Sequence, residues 1–343
     1  MALFLILIIT SFIITSIAIV PFINALYQLK FLRQKQNTHD FLGKRTPIFD
    51  KFHRQKAGTP IGGGILLLFL IIIIFALTFL WLKFSNIYIS SCFPIVEEIN
   101  IIFFTLISFG FLGFFDDLKK IFNLEEKGVF GLRLRYKFII QWILAFTIGL
   151  FLYHNLGIDI INIPLLGVFR VGIFYIPLAA FIIVAFTNAF NITDGLDGLA
   201  SGLLIICLFT FSFISFQIFD TPNTVFIAIW IGTLIAFLYF NIYPARIFLG
   251  DTGALAFGAT MAVIGLMFGK IIALAVIGGI FIIEVSSSLL QMLSKSIRKK
   301  KLFSAAPFHL LLQNKGWEEP KIVMRAWLTG LMLAIFGLWL ATM

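Results

Sequence analysis

Ten runs of apolar residues, each close to the length needed to cross a hydrocarbon layer, leave this chain of 343 residues very few ways to fold. Lipid offers the backbone no hydrogen-bond partners. A spanning segment must satisfy its own N–H and C=O groups, and about 20 residues of α-helix do so while reaching across. The runs lie at 2–28, 61–82, 99–115, 135–153, 172–188, 199–218, 224–240, 253–269, 271–293 and 324–342. With 60% hydrophobic and 12% charged residues, the chain has too little polar surface for a water-soluble globule. The expected fold class is all-α: a polytopic membrane protein of about ten transmembrane helices, forming a single transmembrane domain over 1–343, without internal repeat or separate soluble domain.

No Lys or Arg precedes Lys30 and no small-residue cleavage site follows the first run, so it reads as a retained helix with its N-terminus outside. Cytoplasmic loops carry the Lys/Arg excess. Alternation from an outer N-terminus makes 29–60, 116–134, 189–198, 241–252 and 294–323 cytoplasmic. With Arg135, Lys137 and Arg325 at the adjoining helix ends, these segments hold all of the 26 Lys and Arg except Lys83, Arg170 and Lys270. Both termini are therefore expected on the outer side. The net charge of +10 is dispersed over membrane-flanking loops, which suits membrane lipids and anionic substrates and gives no reason to expect nucleic acid. Cys92 and Cys207 make no disulfide or metal pattern.

The polar segments all fall on the expected inner side. Asn188 to Ala200 sets Asp194 and Asp197 three residues apart between apolar runs. An Asp near the bilayer centre costs about 2.5–3.5 kcal/mol, so such residues normally face a polar cavity and have a function there. Lys56 to Gly64 opens the second span, Asp116-Asp117 with Lys119 and Lys120 closes the third, Asn241 to Gly253 joins the seventh and eighth, and Pro307-Phe308-His309 lies in the last inner loop. Convergence of Asp116, Asp117, Asp194, Asp197 and Asp251 without a cation would be repulsive. Oxygen ligands without Cys point to a hard ion, Mg2+ or Mn2+, held by one or two carboxylates and a substrate phosphate. Each segment also has a plainer reading. An acidic pair at a helix end is usually solvated charge, the Gly62-Gly63-Gly64 run allows close helix packing, a lone His309 is more often structural, and Glu284 near Gly278-Gly279 marks either a helix break lining a cavity or, as the preferred reading, a partnered structural acid.

These segments, in this order, together with the tail Lys315-Gly316-Trp317-Glu318-Glu319-Pro320 running to Arg325 and Trp327, resemble the polyprenyl-phosphate N-acetylhexosamine-1-phosphate transferases of glycosyltransferase family 4. The tail is similar to that of the muramoyl-pentapeptide branch. The resemblance implies transfer of a phospho-sugar from UDP-MurNAc-pentapeptide to undecaprenyl phosphate, with UMP released and Mg2+ required. It implies Asp251 as foremost metal ligand, with Asn191 a second candidate, and Asp116, Asp117, Asp251 and His309 as catalytic residues. It implies donor binding by Lys56, Thr59, Lys120, Asn188, Asn191, Asp194, Gly195, Leu196, Asp197, Asn241 and Phe248, the last stacking on the base. Homodimerisation is left open. The chain departs from the branch where three histidines usually follow the Pro: it has His309-Leu310-Leu311, and Gln313 replaces a Glu. Competing readings are a sister enzyme using UDP-N-acetylglucosamine, a cation-coupled transporter and a non-catalytic lipid-binding relative. Acids at span ends on one side and the absence of a repeat speak against transport.

Overall fold

The structure is a computed structural model that describes residues 1–33, 56–85, 88–122 and 134–343. Its helices are α1 (Ala2–Gln28), α2 (Gly63–Phe84), α3 (Ile95–Ile121), α4 (Leu134–His154), α5 (Tyr175–Thr193), α6 (Leu199–Gln217), α7 (Thr221–Asn241), α8 (Gly250–Met267), α9 (Ile271–Ile277), α10 (Gly279–Ile297), α11 (Phe308–Asn314) and α12 (Glu319–Thr342). Ten are long and apolar enough to cross a membrane. Residues 34–55 and 123–133, which the sequence reading expected on the inner side and which carry part of the basic excess, lie outside the described residues.

Helix α8 is the axis of the bundle, buried from Thr252 to Met267. Its small residues explain its place, because between apolar surfaces in lipid helices associate by close backbone approach. A Cβ on Gly113 of α3 would lie 2.1 Å from the Asp251 carbonyl oxygen, and one on Gly64 of α2 would lie 2.2 Å from the Gly253 nitrogen. On the remaining side, a Cβ on Gly258 would meet the Phe186 carbonyl oxygen of α5 at 2.7 Å. The end of α3 and the starts of α2 and α8 are thus gathered at one end of the bundle.

The structure differs from the sequence reading in three ways. The third span runs on past 115 to Ile121, so Asp116, Asp117 and Lys120 lie within helical turns. The ninth run is divided at Gly278 into α9 and α10; a Cβ there would meet the Phe186 ring at 2.5 Å, so a small residue lets the chain bend against α5. The all-α expectation also misses a hairpin, in which β1 (Ile160–Ile163) pairs antiparallel with β2 (Gly167–Arg170). An Asp159–Arg170 ion pair of 2.5 Å closes its open end. Strands this short leave no apolar run and are easily hidden between helices.

Candidate active site

The first cluster grows from the start of α8. Gly250 adopts φ +79°, a left-handed conformation that carries a cost for any residue with a Cβ, and here a Cβ would also fall 2.7 Å from an Asp117 carboxylate oxygen. The tight turn aims the first amides of α8 at Asp117. Its Oδ1 accepts from the Asp251 N–H at 2.9 Å, and its Oδ2 accepts from the Thr252 N–H at 2.9 Å and the Thr252 hydroxyl at 2.7 Å. Asp117 therefore caps a helix other than its own, and a carboxylate suits the positive end of the helix dipole. Asp251 is held in place by this cap. Its Oδ2 meets Lys120 Nζ at 2.9 Å, and Lys120 also reaches Asp116 Oδ2 at 2.9 Å. Lys137, from the first turn of α4, bonds the same Asp116 oxygen at 2.9 Å and contacts Asp251 Oδ2 directly. Two lysines thus bridge two aspartates.

A second cluster forms around the turn between α5 and α6. Lys56 Nζ is 2.6 Å from Asp197 Oδ1, 2.5 Å from Glu319 Oε1 and 3.4 Å from the Gly195 carbonyl oxygen. Asp197 Oδ2 accepts from the Ala245 N–H at 3.0 Å. The segment before α2 runs beside the one before α8: Phe248 N–H donates to the Pro60 carbonyl at 2.8 Å and Gly63 N–H to the Phe248 carbonyl at 2.9 Å. This pairing fixes the half-buried Phe248 ring. The Arg33 guanidinium lies over that ring, 5.1 Å from its centre.

Burial pushes the Asp194 carboxyl up to about 8, against the opposing pull of Arg33. The folded chain then keeps a proton that the unfolded chain releases near the ordinary value of 3.8. The resulting stabilisation is complete below that value and is lost as pH rises through about 8. The thermal midpoint is expected to fall between pH 5 and 8, in the window set by those two values, and less so in Asp194→Asn. Equal slopes in the two proteins would exclude Asp194 as the source.

His309 joins the clusters from the start of α11. It is 1% exposed. Its Nδ1 pairs with Glu284 Oε2 at 3.0 Å, and its backbone N–H donates to the same carboxylate at 3.2 and 3.3 Å. The opposite ring edge faces the α5–α6 turn: a Cβ on Gly195 would lie 2.6 Å from His309 Nε2. Only glycine leaves this ring its place.

The remaining expected donor-site residues divide. Asn188 donates to Gln141 at 2.7 Å and to the Val184 carbonyl at 2.8 Å, and so ties α5 to α4. Asn241 accepts from Ser201 at 2.8 Å and Gly198 N–H at 3.2 Å and donates to the Ile247 carbonyl at 3.0 Å, which staples the turns on either side of the pocket. Leu196 is buried beneath its turn. The Thr59 hydroxyl and the Asn191 amide make no hydrogen bond among the described residues, and both are half-buried.

Hydrogen bonds and ion pairs gather Asp116, Asp117 and Asp251 in a first cluster and give Asp197 to Lys56 in a second, while Asp194 feels charges from both, Asp251 as well as Arg33, Lys56 and Asp197. In the first, Lys120 and Lys137 supply the positive charge for which a metal was invoked. Among the described residues no three His, Cys, Asp or Glu gather as a metal cage. Asn191, whose side-chain amide makes no hydrogen bond among the described residues, lies on the helix packed against α8, which begins beside Asp251; a carboxylate and a neutral amide are oxygen donors of the kind a hard ion takes.

A model described as Glycosyl transferase family 4 matches residues 99–269. A relative from Borreliella afzelii (strain PKo), named phospho-N-acetylmuramoyl-pentapeptide-transferase, is 37% identical over 303 residues, covering 83% of this chain and 82% of the relative. One of the same name from Clostridium perfringens (strain SM101 / Type A) is 36% identical over 317 residues, covering 92% and 90%. The chain belongs to the phospho-N-acetylmuramoyl-pentapeptide-transferase family. With ten spanning helices it is a multi-pass bacterial membrane protein.

Within this family the chain's departures have structural surroundings. Leu310 is buried in place of a histidine, and Gln313 Oε1 is buried with no hydrogen-bond partner among the described residues. Three site residues escaped the sequence reading, Arg33, Lys137 and Glu319, whereas Glu284 is the partnered acid it expected. Lys137 and Glu319 each had a signal, a charge in the first turn of a spanning helix, where charge is costly without a task. Glu284 had one too, but its partner His309 is 25 residues away and its pairing is visible only in three dimensions. Arg33 sits in a basic stretch with nothing to set it apart.

Proposed function

We propose that this chain transfers phospho-MurNAc-pentapeptide from its UDP-linked donor to undecaprenyl phosphate at the cytoplasmic face. The bridged set Asp116, Lys120, Lys137 and Asp251 at the start of α8 carries this reading. Both reactants are anionic, and two lysines beside a helix N-terminus answer that charge. The cytoplasmic assignment is supported by the skew of Lys and Arg toward the loops at this end.

The turn at Gly195, Leu196 and Asp197 receives the uridine, with Phe248 as its stacking platform and Lys56 at its edge. Lys120 and Lys137 hold phosphate oxygens of the two reactants, in place of part of their carboxylate contacts. An oxygen of the lipid phosphate attacks the sugar-bearing phosphorus of the donor. A new P–O bond forms, the bond from that phosphorus to the bridging oxygen breaks, and UMP leaves with the electron pair. The lipid phosphate, with a second pKa near 6, is largely dianionic at pH 7, so attack needs no strong base. Asp117, whose oxygens are committed to α8, positions Asp251. Asp251 with Asn191 would hold Mg2+, which supplies Lewis-acid stabilisation of the charge moving to the leaving group. His309, fixed by Glu284, lines the turn that receives the donor.

Purified protein given UDP-MurNAc-pentapeptide, undecaprenyl phosphate and Mg2+ is expected to release UMP and form the lipid diphosphate. Lipid product from UDP-N-acetylglucosamine and none from the muramoyl donor would move the chain to the sister branch.

A further inference from the structure

Glu319 has no part in the mechanism above, yet it is placed on the nucleotide pocket. It is the first residue of α12, followed by Pro320. One oxygen, Oε1, is 2.5 Å from Lys56 Nζ and accepts from the Asp197 N–H at 2.7 Å. The side chain is 9% exposed, as is that of Lys56. With the 2.6 Å Lys56–Asp197 contact these groups close a ring that joins the approach to α2, the α5–α6 turn and the start of α12. Removal of the Glu319 carboxylate would leave Lys56 with one acid and the Asp197 amide without its acceptor.

The packing of α12 explains how the carboxylate is delivered. A Cβ on Gly202 of α6 would lie 2.2 Å from the Trp327 ring, so α12 docks on α6 through that indole. Arg325 lies 4.6 Å from the centre of the Trp317 ring, which secures the approach to the helix. Trp317, Arg325 and Trp327 belong to the tail that marks the muramoyl-pentapeptide branch, and here they serve to place one acid against the pocket.

We propose that Glu319 is a positioning residue for the nucleoside diphosphate donor: one carboxylate oxygen fixes both the Lys56 ammonium and the Asp197 amide, and so holds the 194–198 turn in its uridine-receiving form. This rests on the transferase reading of the same pocket. The competing explanation is that an acid in a first helical turn only favours the helix dipole. That role would be kept by Glu319→Asp, which retains the charge but withdraws it by one methylene.

The test uses full-length protein in detergent, with UMP binding by calorimetry and UMP release at varied UDP-MurNAc-pentapeptide. Glu319→Gln is expected to raise the donor KM and the UMP Kd by about tenfold, the scale of one charge-assisted hydrogen bond, with kcat changed less than about threefold. Glu319→Asp is expected to shift both constants in the same direction, which also serves if the Gln variant does not fold. In a Lys56→Met background, Glu319→Gln is expected to change the Kd less than about twofold, because coupled residues are not additive. Wild-type constants in both Glu319 variants, or a full tenfold effect without Lys56, would overturn the proposal. A wild-type protein that binds neither UMP nor the muramoyl donor would instead overturn the transferase reading on which it rests.

Discussion

Asp251→Asn is expected to lower kcat by about a hundred- to a thousandfold, the scale seen when a group that stabilises transition-state charge is removed. Asp251 Oδ2 is the acceptor shared by Lys120 and Lys137. A neutral amide would release both lysines onto Asp116 alone and remove the carboxylate proposed to hold Mg2+. The backbone N–H of residue 251, which donates to Asp117, survives the substitution. The start of α8 should therefore stay formed. UMP release measured beside the thermal midpoint separates the two consequences. A variant that retains a tenth of wild-type turnover would remove Asp251 from the centre of the mechanism.

The second large effect belongs to Glu284. Glu284→Ala leaves the His309 backbone N–H and ring Nδ1 in a buried site without their acceptor. Each orphaned buried donor costs about 1–3 kcal/mol. The ring would also lose the contact that sets its orientation against Gly195, and turnover is expected to fall by about a hundredfold, as when the carboxylate behind a functional histidine is removed. Glu284→Gln keeps an acceptor oxygen in the same place and should recover most of the stability and part of the rate. A thermal midpoint series with UMP assays on both variants tests this. Wild-type turnover in Glu284→Ala would reduce the pair to a structural contact.

The spans were legible because their rule is simple. Backbone groups in lipid must pair within their own helix, so apolar run length alone predicts ten spans, and ten helices long and apolar enough to span are found among the described residues. The hairpin at 160–170 was not legible, because it depends on a paired strand; a break near Gly278 was open as an alternative, but the Phe186 ring it bends against is met only in the fold. Asp116, Asp117 and Asp251 could be nominated from charge in an apolar setting. Their separate tasks could not. Asp117 has both oxygens committed to α8, whereas Asp116 and Asp251 share lysines, and nothing in the Asp116-Asp117 dipeptide says which of its members does which.

Amino-acid order by itself determined that the chain crosses a membrane repeatedly, which end of the helices carries its acids and bases, and which family its motifs resemble, since these follow from hydropathy and local spacing. Tertiary structure alone decided how the charges are partnered. It gathered Asp116, Asp117 and Asp251 at the start of α8 and set Asp197 against Lys56, brought Lys137 to Asp251 across 114 residues and Glu319 to Lys56 across 263, and gave Glu284 to His309. The reason is that an ion pair is specified by distance in space, and glycines such as Gly113, by letting helix backbones touch, set those distances.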